Sequence, residues 1–182
     1  MEELVGFLSH NQANVRETAA AHVANLSGTP EGLAALKQCP ALIQALAKIS
    51  GDIPGVARNA LSALINLAQE PGLIPQFEKC RIANRCAENL SETDYPLLQL
   101  DVILLANLTG CSEAITRELI TARGGAALLT LAQALKEDKD AEHESLDFVT
   151  NILAHVAQYE VRLMFCHDDC DCFDHRHVHV LD

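Results

Sequence analysis

The sequence contains no tryptophan, and other aromatic residues are few: two tyrosines and five phenylalanines in 182 residues. Alanine and leucine dominate its apolar content, and such side chains suit close packing of one helix on another. No stretch approaches the roughly 18–20 consecutive apolar residues that a membrane-spanning helix needs. The composition therefore argues against a membrane protein and favours closely packed helices.

Basic residues are also scarce. Lysine and arginine together number 13 against 25 acidic residues, which gives a formal net charge of −12. Binding to nucleic-acid phosphates needs clustered basic side chains, so this balance argues against a nucleic-acid partner. Basic protein segments are electrostatically compatible partners.

The sequence shows no sign of export. Its start, Met1 to Glu3, is acidic and lacks the basic segment of a signal peptide. Seven cysteines make an odd number, and the four within the helical part are interpreted as reduced, small apolar residues: Cys39, Cys80, Cys86 and Cys111. We therefore expect a cytoplasmic protein, with the nucleus as a second location.

Recognisable catalytic motifs are missing as well. No glycine-rich loop suits a phosphate, and Gly124-Gly125 is interpreted as a turn between two helices. No Ser/His/Asp or Cys/His set shares a plausible pocket outside the last residues of the chain. The sequence thus predicts a protein that is not an enzyme and needs no cofactor.

A short phrase returns three times at one spacing. It covers residues 23–27, 64–68 and 105–109, and its asparagines, Asn25, Asn66 and Asn107, lie 41 residues apart both times. A fourth, altered copy has His155 in place of the asparagine, 48 residues after Asn107. A period in the low forties is typical of helical solenoids of the armadillo/HEAT class.

The residues around each asparagine form apolar columns. Positions five before, two before and one after are three residues apart, so they share one helical face. Their occupants are Ala20, Leu61 and Val102, then Val23, Leu64 and Leu105, then Leu26, Leu67 and Leu108. At the position six residues before the asparagine, the first two copies have the small residues Ala19 and Ala60, whereas the third copy has Asp101. Asp101 is either a buried polar contact or a sign of shifted register.

Helix boundaries follow from prolines, glycines and apolar periodicity. The expected helices are 4–9, 13–27, 30–38, 40–49, 54–69, a less clearly divided pair within 73–89, 95–108, 112–122, 126–136 and 144–159. A short, a medium and a long helix recur in each unit, whereas HEAT units have two helices. We therefore predict an all-α fold, a right-handed α-solenoid of about three and a half armadillo-type three-helix repeats over residues 1–160.

Several segments carry a family resemblance. Residues 4–10 and 15–27 resemble the second and third helices of an armadillo consensus, and 123–126 resembles the glycine turn before a second helix. Within that superfamily, residues 63–73 and 151–158 resemble a eukaryotic family called brain-protein-sixteen-like. That resemblance implies a chaperone cofactor or adaptor that helps to fold translation elongation factor two together with the cytosolic chaperonin. Its members are about twice as long, so this chain would match their N-terminal half.

The asparagines are the candidate partner-binding residues. In peptide-binding armadillo proteins the third-helix asparagine bonds the backbone of an extended peptide, and the resemblance assigns this role to Asn25, Asn66, Asn107 and, in the altered copy, His155. The alternative is that each asparagine bonds neighbouring helix ends. A second possible function is a transport or signalling adaptor for basic peptides. Armadillo transport receptors pair each asparagine with a tryptophan one turn earlier, and this chain contains no tryptophan, which disfavours that function.

The end of the chain differs in composition. The helical pattern stops at Glu160, and we interpret residues 161–182 as a disordered or non-native tail rich in cysteine, histidine and aspartate. We assign no metal site, but the alternative is a metal-binding protein with candidate ligands Cys166, Cys170, Cys172, His175 and His177. Their spacing does not match a standard zinc finger.

Overall fold

The computed structural model describes residues 2–91, 95–137 and 143–168, and these residues form helices joined by short turns. The helices are α1 (Glu2–Leu8), α2 (Ala13–Ser27), α3 (Pro30–Leu36), α4 (Leu42–Ile49), α5 (Pro54–Ala68), α6 (Ile74–Cys80), α7 (Ile82–Asn89), α8 (Leu98–Thr109), α9 (Glu113–Thr121), α10 (Gly124–Glu137) and α11 (His143–Asp168). A 3-10 turn over Pro71–Leu73 precedes α6. None of the helices in the described residues combines the length and the apolar character that a membrane span requires.

The helices group into repeats of three. Repeat 1 comprises α1 and α2, repeat 2 α3 to α5, repeat 3 α6 to α8, and repeat 4 α9 to α11. The long third helices stack in the order α2, α5, α8 and α11, each packing against the next. Second helices pack against elements of the following repeat, as α1 does with α4. The predicted α-solenoid of armadillo-type repeats is confirmed.

Local sequence explains where the helices start. Pro30 and Pro54 occupy first-turn positions, where the missing N–H costs no hydrogen bond. The side chains of Thr29 and Ser112 cap α3 and α9 by accepting from the backbone N–H groups of Gly32 and Ile115, both at 3.2 Å.

The predicted apolar columns form the core. The columns two before and five before each asparagine are almost fully buried in repeats 1 to 3, and Leu67 and Leu108 in the third column are buried as well. Leu26 is half-buried. Burial of these columns between successive third helices holds the repeats together, at roughly 1.5–3 kcal/mol for a fully buried leucine.

Asp101 is a buried polar contact rather than a register error. It is 0% exposed. Its carboxylate accepts hydrogen bonds from Asn89 Nδ2 at 2.6 Å, Cys86 Sγ at 3.2 Å and Arg85 Nη2 at 3.4 Å. Burial raises the pKa of Asp101, while the bond from Asn89 and the charge of Arg85 oppose that shift. Asp101 thus occupies the same buried position of its helix as Ala19 and Ala60 do in theirs, and its hydrogen-bond partners come from α7.

Many helix ends lie one to three residues from expectation, such as the start of α8 at Leu98, and three boundaries differ for a specific structural reason. The less clearly divided pair separates cleanly into α6 and α7 at Arg81, whose φ of 52° is left-handed. The expected turn at Gly124-Gly125 lies one residue earlier in the chain. Arg123 takes the left-handed conformation (φ 60°), and both glycines fall inside α10.

The third boundary concerns the last helix. The prediction that it ends at Tyr159 is wrong, because α11 runs on to Asp168. The physical reason is that no proline or glycine follows Glu160 and apolar residues continue through Val161 and Leu163. Cys166 therefore lies within α11, whereas Cys170, Cys172, His175 and His177 lie outside the described residues.

Candidate functional site

The four candidate residues occupy one position on four stacked helices. Asn25, Asn66, Asn107 and His155 lie on α2, α5, α8 and α11, in the layer of third helices. Asn25 is exposed, and the other three are half-buried. The fold thus places them at equivalent points along one layer, which we call the asparagine row.

Two members of the row bond a hydroxyl of the preceding repeat. Asn66 Nδ2 donates to Ser27 Oγ at 3.0 Å. The ring Nδ1 of His155 lies 3.1 Å from Thr109 Oγ1. Ser27 and Thr109 both stand two residues after an asparagine of the repeated phrase, so the same contact recurs at two junctions.

The middle junction lacks that hydroxyl. Its equivalent residue is Ala68, and Asn107 Nδ2 reaches the backbone carbonyl of Ile65 at 3.5 Å instead. The side chains of Asn66, Asn107 and His155 therefore contribute to contacts between repeats, the role that the sequence leaves open as the alternative to partner binding. Asn25 belongs to the first repeat, and among the described residues its side chain makes no such contact.

Junction contacts do not use up the amide groups. An asparagine side chain carries two donor hydrogens and one acceptor oxygen. Asn66 and Asn107 remain partly exposed, and in the described part of the chain each uses only its nitrogen in the bonds above. The row can therefore hold neighbouring helices and still bond a peptide backbone along the layer.

The flanking positions divide the layer into two halves. Positions four and seven before each row member share its side of the helix. In repeats 1 and 2 they are small or polar: Ala21, Thr18, Ser62 and Asn59. In repeats 3 and 4 three of the four are large, half-buried apolar residues: Ile103, Leu100 and Phe148. The layer is thus polar beside α2 and α5 and mostly apolar beside α8 and α11.

Sequence reasoning missed the junction hydroxyls and this apolar half. Both carry a signal in the sequence, since Ser27 and Thr109 close the repeated phrase and Leu100 and Phe148 share one column. The apolar columns that predict the core assign one face of each helix, and on the opposite face they leave every position but the asparagine unassigned.

No cluster of three or more histidine, cysteine, aspartate or glutamate side chains suited to a metal ion occurs among the described residues. Four cysteines are free thiols: Cys39, Cys80, Cys86 and Cys111. Burial raises the pKa of Cys86, and the charge of Asp101 adds to the rise. Cys86 is therefore held as a neutral thiol that donates to Asp101.

Comparison with known proteins supports the architecture. No family model matches the chain. It is 24% identical over 166 residues to a protein of Dictyostelium discoideum named Protein HGH1 homolog, covering 88% of this chain and 47% of that protein. It is 29% identical over 181 residues to the Protein HGH1 homolog of Drosophila pseudoobscura pseudoobscura, covering 92% and 49%. The chain spans about half the length of these relatives.

Similar solved structures include designed armadillo repeat proteins. One, computationally designed for modular peptide recognition, has a TM-score of 0.70 at 22% identity, over 90% of this chain and 69% of that chain. Another, solved in complex with the peptide (KR)4, has a TM-score of 0.64 at 20% identity, over 84% and 62%. At these identities the likeness establishes the armadillo-type fold.

Proposed function

We propose that this chain is a protein-interaction module that holds an extended segment of another protein along its third helices, without catalysing a reaction. The observation that carries the proposal is the asparagine row, in which hydrogen-bonding side chains recur at one position of four stacked helices. Residues 1–160 would form the binding module, and residues 161–182 would be a tail that takes no part in binding, although its first residues continue α11 as far as Asp168.

The chemistry of the row suits a peptide backbone. Amide side chains at regular spacing offer a donor and an acceptor to successive peptide units of an extended chain. Asn66 and Asn107 are partly fixed by their junction bonds, so little side-chain entropy remains to be lost when a partner binds. Asn25 and His155 extend the row at either end.

The apolar half of the layer narrows the class of partner. Ile103 is half-buried and stands beside Asn107, and Leu100 and Phe148 occupy equivalent positions in adjacent repeats. A bound segment with apolar side chains would bury them there. Such segments are exposed in incompletely folded proteins, which supports a role as a chaperone cofactor.

The specific client we propose is translation elongation factor two, with the cytosolic chaperonin as a further partner. This rests on the resemblance of residues 63–73 and 151–158 to the brain-protein-sixteen-like family. A role in folding places the chain in the cytoplasm, with the nucleus as a second location.

A transport adaptor for basic peptides is supported less well. The position one turn before each row member, where such receptors carry tryptophan, holds Ala21, Ser62, Ile103 and Asn151. No aromatic face is present there to stack against lysine or arginine stems. The metal-binding alternative depends mainly on residues outside the described ones, and measurement of bound zinc in the purified chain would test it.

Affinity capture with the tagged chain tests the proposal. Captured proteins would be identified for the wild type, for Asn66→Ala/Asn107→Ala, and for the control Asn84→Ala. Asn84 is a half-buried asparagine of α7 whose side chain bonds Glu88 of the same helix at 3.3 Å. We expect the wild type and Asn84→Ala to recover elongation factor two or chaperonin subunits, and the double variant to lose them. Enrichment of basic nuclear-import cargo instead would overturn the proposal.

A further inference from the structure

A groove lies between α1, α4 and α6. Its volume is about 470 Å³, and its apolar wall comes from Val5 of α1 and from Ala41, Ala45 and Ala47 at the start and along the length of α4. The groove is therefore formed by first and second helices, whereas the asparagine row lies on third helices. We call it the lysine groove, after the residues described next.

Two lysines give this groove a positive charge. Lys48 of α4 and Lys79 of α6 both line it, and both are exposed. The ion pairs in the described part of the chain use other cations, and the residues that line the groove there include no carboxylate. The two ammonium groups are therefore not neutralised within the described groove.

The other polar groups of the lysine groove are hydrogen-bond donors or are already engaged. The Ser9 hydroxyl and the Gln44 amide line it from exposed positions, and both can donate. The Cys80 thiol also lines it, but its Sγ donates to the backbone carbonyl of Gln76 at 3.2 Å. A ligand in the groove thus meets positive charge and donors beside a small apolar wall, and this combination suits an anionic ligand.

The next junction along the stack carries the opposite charge. The second helices α4 and α7 have eight residues each, and Lys48 of α4 occupies the position of Glu88 in α7. Gln44 corresponds to Asn84, whose side chain donates to Glu88 at 3.3 Å and whose backbone N–H donates to Glu118 at 2.8 Å. The positive charge is therefore a property of this one groove and not of the repeat.

Both lysines lie within the described stack, in repeats 2 and 3. Each stands in the last turn of its helix, where a positive charge interacts favourably with the helix dipole. That interaction requires only proximity and leaves the ammonium hydrogens to bond a ligand. The aliphatic part of a lysine can meanwhile lie along an apolar wall.

We propose that the lysine groove binds an acidic segment of another protein, whose carboxylates pair with Lys48 and Lys79 while small apolar side chains contact Val5 and Ala45. The net charge of −12 disfavours an acidic segment on the chain as a whole, so the groove supplies the local complementarity. Its volume is in the range of ordinary ligand sites. The inference goes beyond the proposed function, because this partner could bind while a client occupies the asparagine row.

Fluorescence anisotropy with the full chain tests the proposal. The probe is a fluorescein-labelled peptide of alternating glutamate and alanine, and its matched control has glutamine in place of glutamate with the same label. We expect the wild type to bind the glutamate peptide about fivefold more tightly, as two exposed ammonium–carboxylate contacts would give. The preference should shrink as added salt screens those contacts.

Charge variants locate the binding. Lys48→Gln/Lys79→Gln should lose the preference for the glutamate peptide. The control Arg117→Gln/Lys136→Gln removes the same amount of charge from exposed positions of α9 and α10 and should keep the preference. Lys48→Glu/Lys79→Glu should instead prefer a peptide of alternating lysine and alanine. Circular dichroism should show all variants equally helical.

Three results would overturn the proposal. The first is equal affinity of the wild type for the glutamate and glutamine peptides. The second is an equal loss in the two glutamine double variants, because the net charge of the chain would then decide binding. The third is stronger competition by an oligonucleotide of equal charge than by the unlabelled glutamate peptide, which would indicate a nucleic-acid site. None of these variants alters the asparagine row, so client capture tests the proposed function separately.

Discussion

At the scale of single residues, polar side chains join turns and neighbouring helices at places where the apolar columns make no contact. Arg16, at the start of α2, is the clearest case. Its guanidinium donates to both carboxylate oxygens of Asp52 at 2.6 and 2.9 Å and to the carbonyls of His10 and Asn11 at 2.8 and 3.0 Å. One side chain thus joins the turn before α2 to the turn before α5.

The ion pair has a consequence for pH. The hydrogen bond from Arg16 lowers the pKa of Asp52 in the folded chain. The pair therefore stabilises the fold above the ordinary aspartate pKa, and this contribution is lost as pH falls through the lowered value. Arg16→Ala should have a lower melting temperature than the wild type at neutral pH, and the difference should shrink in acid. Arg58→Ala, at an exposed position of α5, is the control and should match the wild type at both pH values.

Asp101 leads to a second prediction at this scale. Asp101→Ala recreates the small residue found at Ala19 and Ala60 but removes the carboxylate that accepts from Arg85 Nη2 and Asn89 Nδ2. Breaking a buried pair typically costs about 3–5 kcal/mol, and since the Arg85 side chain keeps 22% exposure we expect about 2–3 kcal/mol. Urea unfolding would measure the loss, and Asp101→Ala/Arg85→Met should recover at least half of it. If Asp101→Ala alone were as stable as the wild type, the cluster would have no stabilising role.

At the scale of elements, close approach between successive helices restricts particular positions. Gly32 lies in the first turn of α3, directly after the end of α2. A Cβ there would collide with the backbone carbonyl oxygen of Leu26 and lie 2.7 Å from Thr29 Oγ1. Gly125 in α10 has nothing within 4 Å of the same atom.

These two glycines form a matched pair. Gly32→Ala should destabilise the fold by about 1–2 kcal/mol, because overpacking against a fixed backbone outweighs the gain in helix propensity. Gly125→Ala should stabilise it by about 0.5–1 kcal/mol through helix propensity alone. Chemical unfolding of both variants would check the signs, and equal effects of both substitutions would contradict the helix spacing between α2 and α3.

At the scale of the whole molecule, the sequence predicts the repeat architecture well. The apolar periodicity of each helix lies within its own stretch of sequence and predicts that helix without knowledge of its neighbours. The bounds of α2 agree with expectation at both ends, and the glycine and proline that follow Ser27 account for its C-terminal end. Polar contacts between helices were harder to predict. Arg85 and Asn89 lie 16 and 12 residues before Asp101, on another helix, and periodicity within α8 contains no information about them.

The candidate site was predicted only in part for the same reason. The asparagine row follows from the 41-residue spacing, but the bond between Asn66 and Ser27 depends on how two third helices are oriented. That orientation is set by packing in the core. A residue on the partner-facing side can therefore also serve a junction, and sequence alone does not separate the two roles.

Comparison of Asn66→Ala with Ser27→Ala separates partner binding by the asparagine row from its contribution to the junctions between repeats. Both variants lose the 3.0 Å bond between α5 and α2, so both should lose a similar, small amount of stability of about 1 kcal/mol. Only Asn66→Ala removes an amide from the row. Titration against the captured client should show roughly fivefold weaker binding for Asn66→Ala and unchanged binding for Ser27→Ala. Unchanged binding in both variants, with equal losses of stability, would mean that the row only joins repeats and would contradict the account.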